Sequence, residues 1–261
     1  MISPPSQTVL ALQDVSLAFG GLQAVERVSL AVNRGMVKAI IGPNGAGKTT
    51  LFHLVSGLLT PQRGRVILNG EEIQGLPAHA IAMRGVARTF QLVQLFDHMT
   101  VLENAMVGRH RLSRAGLLAG ALQLPWTRAE ERVIRTKAME ALEFVGLDSR
   151  AHQSAAVLPL GLKRMLEMAR ALAAAPTLLL LDEPASGLDG AETGKLQEMI
   201  LGLKERGLTV LLVEHDMGLT MEVADEIAVL NYGRLIADGP PRAVQKNPEV
   251  IAAYLGTDWQ A

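Results

Sequence analysis

The sequence predicts an α/β fold: a largely parallel sheet, an antiparallel β-layer at the N-terminal end, and an inserted α-helical subdomain. Three observations lead there. Met36 to Ile41 and Leu178 to Leu181 are near-continuous apolar runs, the pattern of strands covered on both faces. Strand and helix patterns alternate after residue 176, as crossover units of a parallel sheet require. Between Leu92 and Ala175 strong strand patterns vanish and helical ones replace them.

Apolar and polar residues alternate through Leu10 to Phe19 and Val28 to Val32, with turns at Gly20-Gly21 and Asn33-Arg34-Gly35, so short antiparallel strands are expected. The buried run Met36 to Ile41 follows, and after Lys48 the pattern is helical up to Gly57. Arg65 to Leu68 before Asn69-Gly70 reads as a hairpin arm rejoining the antiparallel layer. In the insertion, Thr100 with Glu103 and Thr127 with Glu130 have capping-box spacing, so each pair predicts a helix start. The second helix is expected to run through Val133, Ala141, Leu142 and Val145 and to stop at Gly146. Beyond it, Leu178 to Leu181 predicts a strand ending at Asp182, Glu192 to Arg206 a helix, and Thr209 to Val213 another buried strand. Glu226 to Leu230 and Arg234 to Ala237 flank a turn at Tyr232-Gly233, and a short helical tail follows Pro248.

Composition narrows the function classes. Across 261 residues, 25 Lys and Arg balance 26 Asp and Glu, which gives no electrostatic reason to expect a nucleic-acid partner. The chain has no cysteine, hence neither a disulfide framework nor a thiolate metal site. No apolar run approaches the ~18 residues of a membrane-spanning helix. The start Met1-Ile2-Ser3-Pro4-Pro5 lacks a secretory pattern, so a cytoplasmic location is expected.

The chemistry is concentrated in Gly42-Pro43-Asn44-Gly45-Ala46-Gly47-Lys48-Thr49, followed by Thr50. A phosphate chain carries concentrated negative charge and needs many donors at close range, and glycines let the backbone N–H groups approach. The following helix adds its positive end, Lys48 can reach the terminal phosphates, and Thr49 can ligate magnesium. ATP with Mg2+ is the expected ligand. In Leu178-Leu179-Leu180-Leu181-Asp182-Glu183-Pro184, an apolar strand delivers two acids at its C-terminal end, where open parallel sheets bind ligands. Asp182 suits the magnesium shell and Glu183 the role of general base.

With these motifs in this order, the chain resembles the ATP-binding subunits of ABC transporters over nearly its whole length. The resemblance implies a P-loop NTPase (RecA-like) core. Residues 1–91 and 176–240 would form that core with its β-subdomain, 92–175 the helical subdomain and 241–261 a C-terminal helical tail. It makes Gln91, in Arg88-Thr89-Phe90-Gln91, the glutamine that links the nucleotide site to the helical subdomain, with catalytic and metal-binding roles, and gives His215, in Val213-Glu214-His215-Asp216, a catalytic place. Phe19 matches the aromatic residue that stacks on adenine, although a plain core role fits it too. Asp189, in Ser186-Gly187-Leu188-Asp189, matches the loop through which two such subunits communicate.

One motif departs from the family. Where two subunits close head to tail over ATP, the family presents Leu-Ser-Gly-Gly-Gln in trans; here the stretch is Leu158-Pro159-Leu160-Gly161-Leu162. Pro159 has neither the serine hydroxyl nor an N–H, while Gly161 still offers an amide. Two readings follow: a branch that tolerates this signature, or an asymmetric pair whose second subunit carries a fuller one.

Phe19-Gly20-Gly21-Leu22-Gln23-Ala24-Val25, the run Arg88 to Phe96, and Ala253-Tyr254-Leu255-Gly256 are similar to ATPase subunits of branched-chain amino acid (Liv-type) importers. A long insertion between Gly108 and Glu130 agrees with that group. Its apolar part, Ala115 to Trp126, either docks on membrane subunits or is buried within the insertion. The implied partners are two membrane-spanning permease subunits, a second ATPase subunit (a copy of this chain or a homologue) and, through the complex, a solute-binding protein. The implied place is the cytoplasmic face of the membrane. A urea or amide importer, a lipopolysaccharide exporter and a soluble non-transport ABC ATPase are the alternatives.

Overall fold

The computed structural model describes residues 8–109 and 125–255, with side chains from 129 onward in the second stretch and not at 255. The expected segment Ala115 to Trp126 lies outside the described residues except for the backbone of its last two, and Gly256 lies outside them as well.

Strands β1 (Thr8–Phe19) and β2 (Leu22–Asn33) form an antiparallel hairpin, and β4 (Arg63–Leu68) and β5 (Glu71–Glu72) extend it in the order β2-β1-β4-β5. The second sheet is β10-β9-β3-β8-β7-β6. It is built from β3 (Val37–Ile41), β6 (Val86–Arg88), β7 (Leu178–Asp182), β8 (Thr209–Val213), β9 (Glu226–Asn231) and β10 (Arg234–Gly239). All neighbouring pairs are parallel except β9 with β10.

Successive side chains of a strand point to opposite faces, and here each face meets its own core. Ile40, Leu178, Leu180, Leu211, Val213, Ala228 and Leu230 pack with the antiparallel layer and helix α1 (Lys48–Val55), which contributes Leu51, Phe52, Leu54 and Val55. Ala39, Ile41, Leu179, Leu181, Val210, Leu212, Ile227 and Val229 face the other core. That core takes in the insertion helices α3 (Val101–Arg109), α4 (Pro125–Phe144) and α5 (Leu160–Ala173), together with α6 (Gly190–Glu205). Burial on both sides accounts for the unbroken apolar runs at β3, β7 and β8.

Thr100 caps α3 as expected: its hydroxyl accepts from Glu103 N at 3.2 Å, and its own N–H donates to Glu103 Oε2 at 2.8 Å. The other predicted start is corrected. Helix α4 is already under way at Pro125, so Thr127 lies inside it. Val133, read as part of the apolar face, is exposed. Ile134, Ala138, Ala141 and Leu142 carry the packing of that helix. Helix α6 begins at Gly190 rather than Glu192, because Asp189 caps it and Glu192 is the third residue of a reciprocal capping box.

The pattern missed several short elements. These are α2 (Ala78–Met83), α7 (Met217–Val223) and α8 (Pro241–Gln245), the last leading into the expected tail helix α9 (Pro248–Leu255).

Candidate functional site at the C-terminal edge of the sheet

The parallel strands deliver the predicted residues to one edge. β3 runs into the Gly42 to Thr49 loop, β7 ends at Asp182 and Glu183, His215 lies just past β8, and Gln91 lies three residues past β6. In sheet order β3-β8-β7-β6 these ends are neighbours, so residues far apart in sequence meet.

The phosphate loop is shaped by backbone conformations that glycine alone adopts without strain. Gly42, Gly45 and Gly47 have φ of 148°, 78° and 100°. A Cβ on Gly42 would collide with the Leu230 carbonyl, and one on Gly47 with the Ala24 carbonyl. The loop is tied down from outside as well, because Gly233 N donates to Ala46 O at 3.0 Å. Asn44, Gly45 and Thr49 are exposed, Pro43 and Thr50 half-buried, and Ala46 buried. Lys48 is buried, and its Nζ donates to the carbonyls of Gly42 at 2.7 Å and Pro43 at 3.0 Å. Burial holds its pKa below the usual lysine range, and the Glu183 charge opposes that shift. The N-cap of α1 is Gly47, which has no side chain to cap the helix, and first-turn amides of a helix have no intrahelical partner and suit an anion.

Glu183 adopts a left-handed backbone conformation, φ 46°, which is costly for a residue with a Cβ. The strand register holds it there: Glu183 N donates to Val213 O at 2.8 Å, and Glu183 O accepts from Ser186 N at 3.1 Å. Its carboxylate accepts from Gln91 Nε2 at 2.8 Å and stands 3.9 Å from His215 Nδ1. The structure thus brings Glu183, Gln91 and His215 together. Phe19 is 49% exposed at the end of β1, so the core reading fails and its ring is free to stack.

Asp189 accepts from Glu192 N at 2.8 Å and so has a structural task as helix cap. Gly161 is buried at the start of α5, with the Glu192 carboxylate packed against the place a Cβ would take. Pro159, two residues earlier, occupies the N-cap position without a side-chain capping bond.

Several participants had no signal in the sequence. Glu214 is fully buried and accepts from the backbone N–H of Ala185, His215 and Asp216 at 2.8, 2.9 and 3.1 Å, joining the ends of β7 and β8. Arg164 on α5 donates to the carbonyls of Gln91 at 3.3 Å and Ser186 at 2.6 Å, so the insertion grips both loops beside Glu183. On the tail helix, Tyr254 lies near the Gly42 backbone; partial burial pushes its hydroxyl pKa up and the Gly42 backbone opposes that shift. A cavity of about 590 Å³ lies between this helix and the phosphate loop, lined by Pro43, Asn44, Ala46, Tyr232 and Glu249.

Thr49, Gln91 and Asp182 offer hard oxygen donors, the set that magnesium prefers. Together the edge presents a phosphate cradle, a buried cation and a carboxylate held by an amide, the parts that phosphoryl transfer to water requires.

Comparison with known proteins agrees with this geometry. The family model described as ABC transporter matches residues 25–186, and that described as branched-chain amino acid ATP-binding cassette transporter matches 234–259. The chain is 47% identical over 252 residues to the high-affinity branched-chain amino acid transport ATP-binding protein BraF of Pseudomonas aeruginosa, covering 96% of this chain and 99% of that protein. It is 42% identical, over the same shares, to the corresponding protein LivG of Escherichia coli K12. Among solved structures, the ADP conformation of MJ1267, an ATP-binding cassette of an ABC transporter, superposes with a TM-score of 0.83 at 31% identity, covering 96% of this chain and all of that one. With the fold, the sheet-edge motifs and these relatives in agreement, the chain belongs to the ABC transporter ATP-binding family, in its branched-chain amino acid branch.

Proposed function

We propose that the chain hydrolyses ATP to drive import of branched-chain amino acids through separate membrane subunits. The observation that carries the chemistry is the 2.8 Å bond between Gln91 and Glu183 beside the phosphate loop. Likeness to BraF and LivG along 96% of the chain supports the choice of solute.

In the proposed reaction, the loop amides from Gly42 to Thr50 and Lys48 hold the phosphates, and Phe19 stacks on adenine. Glu183 takes a proton from water as the water oxygen bonds to the γ-phosphorus. The bond from that phosphorus to the bridging oxygen breaks, and ADP leaves with its electron pair. Gln91 and His215 orient water and the γ-phosphate around Glu183. Thr49, Asp182 and Gln91 would hold magnesium, which when bound would supply positive charge against the phosphates.

A second ATPase subunit, identical or homologous, closes over the nucleotide, with Gly161 presented in trans and Asp189 at the contact. The Glu192 carboxylate packs on the Cα side of Gly161, so any side chain at this position would displace it. The remaining partners are two membrane-spanning permease subunits and, through them, a solute-binding protein. The chain works peripherally at the cytoplasmic face of the membrane. No helix among the described residues is long and apolar enough to span the bilayer itself.

The test is reconstitution with co-purified membrane subunits in vesicles. Leucine, isoleucine or valine with the solute-binding protein is expected to stimulate ATP hydrolysis and to accumulate in proportion to it. Stimulation by urea or an amide instead, with none by these amino acids, would overturn the choice of solute.

A further inference from the structure

Arg88, at the end of β6, has no role in the reaction as described above. Its side chain is 8% exposed, and its guanidinium donates from Nη2 to Asp182 Oδ2 at 2.7 Å and from Nη1 to Ser56 Oγ at 2.9 Å. Asp182 is 5% exposed. The guanidinium carbon lies over the rings of Phe52 and Phe90, 5.7 and 5.3 Å from their centroids. One cation therefore joins the helix that follows the phosphate loop, the acid at the end of β7, and the residue before Gln91.

A buried ion pair is a poor source of stability, because desolvating both charges offsets most of their attraction. What such a pair supplies is position. The two rings and the two hydrogen bonds of the planar fork fix the guanidinium, and the charge-assisted bond fixes one carboxylate oxygen in turn. Asp182 Oδ1 receives no hydrogen bond from a described residue, so the Arg88 contact engages one oxygen and leaves the other for a further ligand. Lysine could not repeat this arrangement, since a point charge cannot bridge Ser56 and Asp182 in one plane.

We propose that Arg88 is a positioning residue for the magnesium site, holding Asp182 in the orientation that takes up the metal. The proposal rests on the reading of Asp182 as a metal-site residue. Hydrogen-bonding partners of metal-site residues are typically worth about 10- to 100-fold in metal affinity.

The experiment uses the full chain with a non-hydrolysable ATP analogue and Mn2+, followed by electron paramagnetic resonance. Analogue binding in EDTA and thermal unfolding are measured alongside. Arg88→Met is expected to raise the half-saturating Mn2+ about tenfold while metal-free analogue binding stays within about twofold. Arg88→Lys is expected to raise it less, and it carries the test if the methionine variant does not fold. Three results would overturn the proposal in a folded variant: unchanged Mn2+ affinity, tighter Mn2+ binding, or metal-free binding lost to the same extent. Asp182→Asn separates the two readings. If it leaves Mn2+ affinity unchanged, the metal assignment of Asp182 fails and Arg88 with it. If it weakens binding while Arg88→Met does not, only the role of Arg88 fails.

Discussion

Gln91 Nε2 donates to Glu183 Oε2 across 2.8 Å, joining residues 92 positions apart through the adjacent ends of β6 and β7. The Gln91 carbonyl in turn accepts from Arg164 on α5, so the helical insertion is connected to the proposed base through a single residue. A rotation of the insertion that displaced Gln91 would alter the hydrogen bonding of Glu183 and so is expected to couple the position of the insertion to the proposed chemistry. This gives the order in which variants should lose activity.

Glu183→Gln keeps the size and the contact with Gln91 but cannot accept a proton. Its kcat is expected to fall by about 10²- to 10⁴-fold, the usual worth of a positioned general base, with KM for ATP within a few-fold of wild type. Gln91→Ala leaves the carboxylate and removes its orienting partner, so a smaller loss is expected, about tenfold or more. Steady-state phosphate release from the reconstituted complex checks both. Equal losses would mean that the amide does more than orient.

The phosphate loop makes a sharper steric prediction. Gly47→Ala would place a Cβ at φ 100° against the Ala24 carbonyl, and Gly42→Ala one at φ 148° against the Leu230 carbonyl. Backbone strain of this kind costs about 1–3 kcal/mol per site before the collision is counted. Gly45→Ala has φ 78° but meets open space, so it suffers the strain alone. Equilibrium binding of a fluorescent ATP analogue should rank Gly45→Ala above Gly42→Ala and Gly47→Ala. A variant at Gly42 or Gly47 that binds like wild type would contradict the ranking.

Asp189 has one task in the fold and another in the proposed pair of subunits, and substitution can separate them. Its carboxylate caps α6, and replacing such a cap with alanine costs about 1 kcal/mol, whereas asparagine caps about as well. Asp189→Ala is therefore expected to lower the unfolding free energy by about that amount, and Asp189→Asn to leave it unchanged. If the residue also meets a second subunit, Asp189→Asn should still reduce turnover of the assembled pair. Urea melts of the isolated chain and turnover of the complex measure the two effects separately.

Much of this edge was legible because its residues come in short local motifs. β3, β7 and β8 are five-residue strands buried at every position, so apolar runs betrayed them, and the glycine loop and paired acids follow directly. α2, α7 and α8 have six, seven and five residues, less than two full turns or barely that, and cannot display a helical period. Arg88, Glu214 and Arg164 stayed hidden for a different reason. Each has a partner far along the chain, Asp182, Ala185 and Ser186 at 94, 29 and 22 residues, so only the register of the sheet and the docking of α5 make them meaningful. The offset at Thr127 shows the limit of cap spacing: the pattern fits, yet the helix starts earlier.

Glu167 on α5 gives the pH prediction. It is buried, accepts from Phe90 N and pairs with Arg170 at 3.4 Å, yet desolvation dominates and holds its pKa above the usual carboxylate range. A raised folded-state value means that the folded chain binds a proton more tightly than the unfolded one. Its contribution is therefore fully present below the unfolded pKa and is lost as pH rises through the folded one. Glu167→Gln can still accept from Phe90 N but has no charge to desolvate, so this dependence should vanish. The thermal midpoint of wild type relative to Glu167→Gln is expected to fall as pH climbs out of the ordinary carboxylate range and to level off above the folded pKa. A difference that is constant with pH would mean that the Arg170 and backbone contacts cancel burial; one that favours wild type increasingly at higher pH would mean that they outweigh it, and that this carboxylate is a stabilising anion that helps α5 hold the loop ahead of Gln91.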